Sequence, residues 1–434
     1  MKHTQTPILG LMQKSVQVKP EEAQALLWSF SYFFALLCSY YIVRPMRDEM
    51  GILGGVENLQ WLFTGTLLVM TAAIPLFGWV SSHFPRRQFL PYVYLFFIGT
   101  LLLFYALMNE HTVSVTIARV FFIWASVFNL FVVSVFWSFM TDIYSNSQAR
   151  RLFGFIAAGG TLGALTGPAI TSLLVEPIGP RNLLLISALF LSWAILCIIK
   201  LSRWSSTETT PKTAAIKETE ELPIGGSIWD GIRLVMRSPY LLGICLLMIL
   251  FTTLATFLYL MQAQIVRDAF SDSVQRTALF ANIDLAVNAL TLVLQLFLTS
   301  RLIKWFGLPI VLALIPVLLA IGFILLGLVP SVAILIFVQV TRRAGNYAIM
   351  RPAREMLYVV LSKQEKYKAK NVIDTVVYRA GDAVSAWIYS GMRALGISLS
   401  GIAFIAVPLA LLWAWVAYKL GAKQHELADT NHQE

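Results

Sequence analysis

A chain of 434 residues that is 58% hydrophobic and only 13% charged, with a mean hydropathy of +0.72, departs from soluble domains, where about a quarter of residues are charged. Helices packed in water need polar outer faces that this composition does not supply, so a soluble enzyme and a disordered chain are excluded and lipid is the expected solvent. The net charge of +10 comes from basic residues set singly or in pairs between apolar runs, which forms no nucleic-acid motif and fits the excess of Lys and Arg on cytoplasmic loops.

Residues 1–20 hold one short apolar stretch, Ile8 to Met12, and no cleavage site, so no removable signal peptide is expected. About twelve segments follow that are long enough to cross a hydrocarbon core as helices, at residues 26–43, 59–80, 90–108, 116–140, 153–175, 183–201, 241–266, 277–299, 308–329, 331–350, 371–395 and 398–418. Barrel strands would alternate polar and apolar residues over short runs, whereas these runs are continuous, so the expected fold class is an all-α polytopic membrane protein. Cys38, Cys197 and Cys245 each sit inside an apolar run without metal-ligand spacing, which supports neither a disulfide framework nor a zinc site.

Lys14 and Lys19, Arg86 and Arg87, Arg150 and Arg151, Arg301 and Lys304, the run Lys363, Lys366, Lys368 and Lys370, and Lys419 and Lys423 all fall on one side if the helices alternate. Glu176 and the segment Asn109-Glu110-His111 belong to the opposite loops. Both termini are therefore expected in the cytoplasm, and the chain in a bacterial inner membrane.

Between Arg203 and Ser227 the composition turns to Ser, Thr, Glu, Lys and Pro, a solvated linker at the midpoint of the chain. Trp229, Ile232 and Met236 after it share one helical face, as in a helix lying on the membrane surface. The expected domains are a cytoplasmic segment 1–24, a six-helix half 25–202, a linker with surface helix 203–240, a second six-helix half 241–418 and a tail 419–434. An internal echo supports duplication: Tyr41 and Arg47-Asp48 close the first span, and Tyr259 and Arg267-Asp268 close the seventh.

No P-loop, HExxH or GxSxG motif occurs, and all five histidines lie in loops or tails, so the chain is expected to be neither an ATP-driven pump nor an enzyme, with no cofactor and no metal. The candidate site instead consists of charges in or beside spans, each costly in hydrocarbon unless paired or wetted. Arg44, Arg47, Arg342, Arg343, Lys370 and Arg379 are the candidate anion-binding residues. Asp48, Asp284, Asp374 and Asp382 are candidates for coupling or inter-helix pairing. Arg379 with Asp382 and Lys370 with Asp374 have i,i+3 and i,i+4 spacing, so pairing along one helix accounts for them as well as substrate contact does. Arg342 and Arg343 have no acid in neighbouring turns, which calls for an aqueous cavity or an anion. Arg351 and Arg354 fit positive-inside placement, and Arg119 opens the fourth span.

Gly159, Gly163 and Gly167 recur every fourth residue before Pro168, the small-residue spacing that lets membrane helices approach closely. The stretch Gly163 to Pro168 resembles the span-five motif of major facilitator antiporters, with Thr171-Ser172 in place of its closing glycines. The loop from Gly78 to Arg87 resembles the major facilitator signature loop, with Ser82 for its aspartate and Pro85 for its second glycine. More specifically, Tyr41 to Asp48, Phe136 to Gly154, and Arg354 to Asp374 resemble, in the same order, segments of the nucleotide translocases of plastids and intracellular bacteria. The resemblance implies a major facilitator fold, with Arg47 and Lys370 at the basic positions that family associates with nucleotide phosphates. Its functional acids in spans four and seven have no counterpart, because no acid lies between Glu110 and Asp142 or between Leu241 and Val266.

The sequence thus points to a secondary transporter of a small organic anion, with a nucleotide or other phosphorylated metabolite among the candidates. It would act as a monomer among membrane lipids, by alternating access or exchange. The alternative is a flippase for an anionic or lipid-linked molecule.

Overall fold

The computed structural model describes residues 18–83, 86–108, 113–208 and 228–431. The expectations for the amino-terminal segment up to residue 17, for residues 84–85 of the Gly78–Arg87 loop, for the loop at Asn109, Glu110 and His111, for most of the central linker and for the Trp229 side chain fall outside the described parts. Among the described residues every regular element is helical and no strand occurs. Eight of the described helices are long and apolar enough to cross a membrane, one of them carrying two spans across a bend.

Backbone contacts divide the chain into two compact units. The first comprises residues 1–53, 68–219 and 272–285, and the second residues 54–67, 220–271 and 286–434. Each unit therefore holds a short segment from the other half of the sequence.

The first unit is organised on α1 (Pro20–Leu53). The sequence places the end of its span at residue 43, yet the helix runs ten residues further, through Pro45 and the charged run Arg44 to Glu49. Its first turn carries Glu21 and Glu22, which suit the positive end of the helix dipole, and Glu22 binds Arg151 at 2.9 Å. The unit continues with α2 (Leu59–His83), α3 (Arg86–Leu107), α4 (Val115–Ile143) and α5 (Asn146–Glu208), of which residues 59–67 of α2 belong to the other unit. The sequence expects two spans where α5 lies; the chain turns between them at Gly179, whose φ of 78° only glycine adopts without strain.

Two features fix α1 in place. Buried hydroxyls with no water to bond must bond each other. Ser29 pairs with Tyr144 at 2.9 Å, Tyr32 with Tyr94 at 2.6 Å, and Ser39 with Ser187 at 2.7 Å. On another face the glycines of α5 touch the α1 backbone. A Cβ on Gly159 would lie 2.4 Å from the Phe30 carbonyl oxygen, on Gly163 2.3 Å from that of Phe34, and on Gly167 2.7 Å from that of Cys38.

The second unit begins, after the linker, with α6 (Ile228–Arg237) and α7 (Pro239–Ala269). It continues through α8 (Ser273–Phe297), whose first part belongs to the other unit, and α9 (Thr299–Leu328), bent at Gly307 with φ 73°. The tenth and eleventh spans, expected as continuous helices, are interrupted. The first consists of α10 (Val332–Gly345), a π-helical stretch (Asn346–Met350) and α11 (Arg351–Leu357). The second consists of α12 (Lys363–Asn371), a π-helical stretch (Val372–Val377) and α13 (Tyr378–Ala394). The wider π turns leave carbonyls for outside donors, and Gln295 and Thr299 bond the carbonyls of Tyr347 and Ala348 at 3.4 and 2.7 Å. The short helix α6 lays Gly231 on α12, where a Cβ would meet the Lys368 carbonyl oxygen at 2.9 Å. Finally α14 (Leu399–Asn431) packs Gly421 directly on the backbone of Pro309, 2.6 Å from a built Cβ.

The outer surface is apolar, with Leu173 74%, Tyr92 71% and Leu189 69% exposed, as expected of helices whose solvent is lipid. Gly163→Ala forces apart backbones already in contact, an overpacking cost of about 1–3 kcal/mol. A clear fall in the melting temperature of the detergent-solubilised protein is expected, with no fall for Gly154→Ala, whose Cβ meets nothing within 4 Å.

Candidate functional site

The candidate charges fall into two groups, one in each unit. In the first unit the final turns of α1 present Arg44, Arg47, Asp48 and Glu49. Arg44 lies 3.5 Å from Asp284 of α8, whose carboxylate is 1% exposed, and packs near the Tyr41 ring. Arg47 donates to Ser126 of α4 and bonds Asp48, both at 3.0 Å, and its guanidinium sits 4.0 Å from the centre of the Phe122 ring. Glu49, fully buried, takes both 2.7 Å bonds of a two-pronged pair with Arg276 of α8. Asp48 pairs with its neighbour Arg47, whereas the next residue, Glu49, takes a partner 227 residues away.

Arg276 goes unnoticed in the sequence because it precedes the apolar run expected to start at residue 277. Its only signal is a single cation at a helix start, with Asp272 four residues before it as a local acid. Nearby, Ser172, one of the two residues replacing the usual motif glycines, donates to Asn282 at 2.7 Å. The departure from the motif thus supplies a hydrogen bond from α5 to α8.

In the second unit, Arg342 donates to Gln339 at 3.0 Å and Arg343 is buried. Arg379 lies 4.0 Å from Asp382 along α13, and Asp382 also accepts from Thr256 of α7 at 3.3 Å. The Arg379 guanidinium lies 5.4 Å from the centre of the neighbouring Tyr378 ring. Lys370 and Asp374 do not pair along their helix. The π-helical stretch alters the register between them; Lys370 instead binds Glu355 at 2.5 Å and Asp374 lies 3.5 Å from Arg354, two links between α11 and the α12 segment.

Arg47-Asp48 and Arg267-Asp268, which echo each other in sequence, make the same contact between neighbours, at 3.0 and 3.1 Å. Arg267 also binds Glu57. That carboxyl, in the short turn Val56–Asn58 outside the spans, is held below the ordinary glutamate range by a backbone N–H of its own turn and then by Arg267. Among the described residues no His, Cys, Asp and Glu side chains are grouped as a metal site requires.

Two interrupted helices, apolar exteriors and arginines carried inside long helices are features of membrane transporters. The sequence model of the Major Facilitator Superfamily matches residues 26–366, and the chain belongs to that superfamily. It is a multi-pass membrane transporter. Among curated proteins it is similar to ADP,ATP carrier protein 1 of Chlamydia muridarum (strain MoPn / Nigg), 25% identical over 339 residues covering 68% of this chain and 64% of that one. It is also similar to ADP,ATP carrier protein 2 of Chlamydia pneumoniae, 19% identical with 90% of this chain and 87% of that one covered. The chain thus spans less than two thirds of the first relative's length. Among solved structures, a POT family transporter in complex with a thioalcohol conjugated peptide shares the fold with a TM-score of 0.65 at 14% identity, covering 94% of this chain and 99% of that one. The nucleoside transporter NupG does so with a TM-score of 0.58 at 12% identity and the same coverage.

Asp284→Asn leaves Arg44 without its carboxylate and costs about 3 kcal/mol, whereas the joint change Arg44→Met with Asp284→Leu removes both charges and costs less. Melting temperatures of the two variants test this ordering. For Glu57 the sign follows from its depressed folded pKa. The pair's contribution is full at neutral pH and is lost as the pH falls through that value, below the ordinary glutamate figure of about 4.3. The melting-temperature gap between parent and Glu57→Gln, small because the pair is exposed, is expected to close on acidification past that point.

Proposed function

We propose that the chain is a secondary transporter of a small organic anion in a bacterial inner membrane, working by alternating access with both termini in the cytoplasm. The observation that carries this reading is the set of arginines inside helices that keep part of their surface open: Arg44 at 17%, Arg47 at 21% and Arg379 at 36%. A cation in hydrocarbon needs an anion or water. These arginines lie beside carboxylates that a substrate anion can replace. Arg44, Arg47, Arg342, Arg343 and Arg379 are the proposed substrate contacts, and Asp284 and Asp382 the groups released when a substrate takes their arginines.

The named function of the chlamydial relatives favours a nucleotide, and exchange as the mode. The lack of acids between Glu110 and Asp142 and between Leu241 and Val266 favours a cargo or coupling that differs in detail, such as another phosphorylated metabolite. Lys370, bound to Glu355, is proposed to reach substrate phosphate only after leaving that partner. A monomer in lipid suffices for this mechanism.

Proteoliposome counterflow with labelled nucleotides, sugar phosphates and carboxylates is the test. At least one anion is expected to exchange, and Arg342→Gln and Arg379→Gln are each expected to lower its uptake at least about tenfold, the loss of one charge-assisted contact. Absence of counterflow for every soluble anion, with movement of a labelled anionic lipid between leaflets, would transfer the arginines to a lipid headgroup and overturn this reading.

A further inference from the structure

The short helix α6 packs on the second unit with one face and leaves two others open. Gly231 and Val235, one turn apart, are buried, and Gly231 sits against the Lys368 carbonyl and the Val372 side chain. Next round the helix come Ile232 and Met236, and beside them Arg233 and Arg237, both exposed. Ser238, in extended conformation, ends α6 before Pro239 opens α7. One residue on, the Tyr240 hydroxyl donates to the Leu357 carbonyl at 2.8 Å, which ties this corner to the loop after α11. Three elements thus meet: α6, that loop and α12.

Apolar side chains stand open here among cations. Met236 of α6 is 65% exposed, Val359 of the loop 67% and Tyr367 of α12 53%. Arg233 and Arg237 are exposed and Lys366 and Lys368 half-buried, and none of the four has an ion-pair partner among the described residues. Glu365, the acid of α12, is turned back onto Ser362 in a capping box. Topology alone accounts for positive charge at a span end, but not for open Met, Val and Tyr side chains between the charges. The apolar run of α7 starts at Leu241, five residues beyond Met236, and α12 leads directly into the eleventh span. Cations interleaved with apolar tips, beside two span starts, match the chemistry of the headgroup layer, where phosphate lies just outside hydrocarbon.

We propose that α6, the loop after α11 and α12 form a binding site for anionic phospholipid of the surrounding leaflet, with headgroup phosphates on Arg233 and Arg237 and with Met236 and Tyr367 at the acyl boundary. Lys366 and Lys368 add to the attracting field, since each cation near an anionic membrane surface strengthens binding about fivefold. Because Gly231 is pressed on the Lys368 carbonyl, a lipid that holds α6 also steadies the helix that carries Lys370. The site is separate from the proposed substrate arginines and requires no particular cargo.

Two measurements on the full chain test this. In the first, a nitroxide is attached to Met236→Cys, in a chain with Cys38, Cys197 and Cys245 replaced by Ala, and its collisions with oxygen and with a water-soluble nickel chelate are compared in nanodiscs of phosphatidylcholine with or without phosphatidylglycerol. The label is expected at the acyl boundary when phosphatidylglycerol is present and nearer water when it is absent. In the second, mass spectrometry counts the phosphatidylglycerol retained after purification from mixed lipid. The joint change Arg233→Gln with Arg237→Gln is expected to lower its binding about fivefold for each charge removed, and the difference from the parent to close near 1 M salt. Arg233→Lys with Arg237→Lys is expected to keep the lipid. Equal loss in the Lys pair indicates damage to α6 rather than loss of charge, and overturns the proposal. So does a label at the same depth in both lipids, or retention that the Gln pair leaves unchanged. If inorganic phosphate alone moves the label in phosphatidylcholine discs, the site takes a soluble anion and the lipid assignment falls. Neither readout involves transport, so a failed counterflow panel leaves this result standing, and a failed lipid series leaves the cargo reading standing.

Discussion

A carboxylate with no exposed surface has to find a cation or give up its charge, and Glu49 finds Arg276. The last turns of α1 follow from the same requirement. A helix carrying Arg44, Arg47, Asp48 and Glu49 in succession has no reason to continue past residue 43 on hydrophobicity alone. It continues because each charge meets a partner: Arg44 meets Asp284, Arg47 meets Asp48 and Ser126, and Glu49 meets Arg276. Two of those partners lie on the first turns of α8, which is why this short piece of the second sequence half counts as part of the first unit. Burying an ion pair adds little stability beyond an apolar replacement; what it adds is a penalty for every arrangement that separates the partners.

The internal duplication survives in chemistry more clearly than in residue identity. The Arg-Asp neighbours at the ends of α1 and α7 make the same contact, and the left-handed glycines Gly179 and Gly396 mark the turns before the last span of each half. Elsewhere the copies have diverged. The first unit relies on hydroxyl pairs and on glycines pressed against α1, the second on π-helical breaks whose carbonyls accept from Gln295 and Thr299.

The fold class was legible because continuous apolar runs of helical length have few other uses, and the superfamily because the Tyr41–Asp48 and Gly163–Pro168 patterns are local in sequence. The candidate arginines were legible one by one, as charges in the wrong solvent. Their partners were legible only where pairing is local, as for Arg47 with Asp48 and Arg379 with Asp382. Glu49 with Arg276 joins residues far apart in the chain, and neither has a nearby residue that signals the other. Lys370 with Glu355 displaces the i,i+4 pairing with Asp374 because a π turn follows Asn371, and a π turn leaves no periodic mark in a segment this short. Hydrophobicity also misjudged the end of α1, since it counts charges as boundary residues whether or not they are neutralised.

The last helix extends well past the bilayer. With 33 residues α14 is about 50 Å long, against a hydrocarbon core of roughly 30 Å, so several turns stand in water beyond the membrane. Gly421 seated on Pro309 braces it against α9 near its carboxyl-terminal end. The projecting turns are therefore a stiff rod rather than a tether. A small rigid domain grafted in frame onto that rod would turn as one body with the second unit, giving electron microscopy an alignment mark on a transporter otherwise hidden in its micelle.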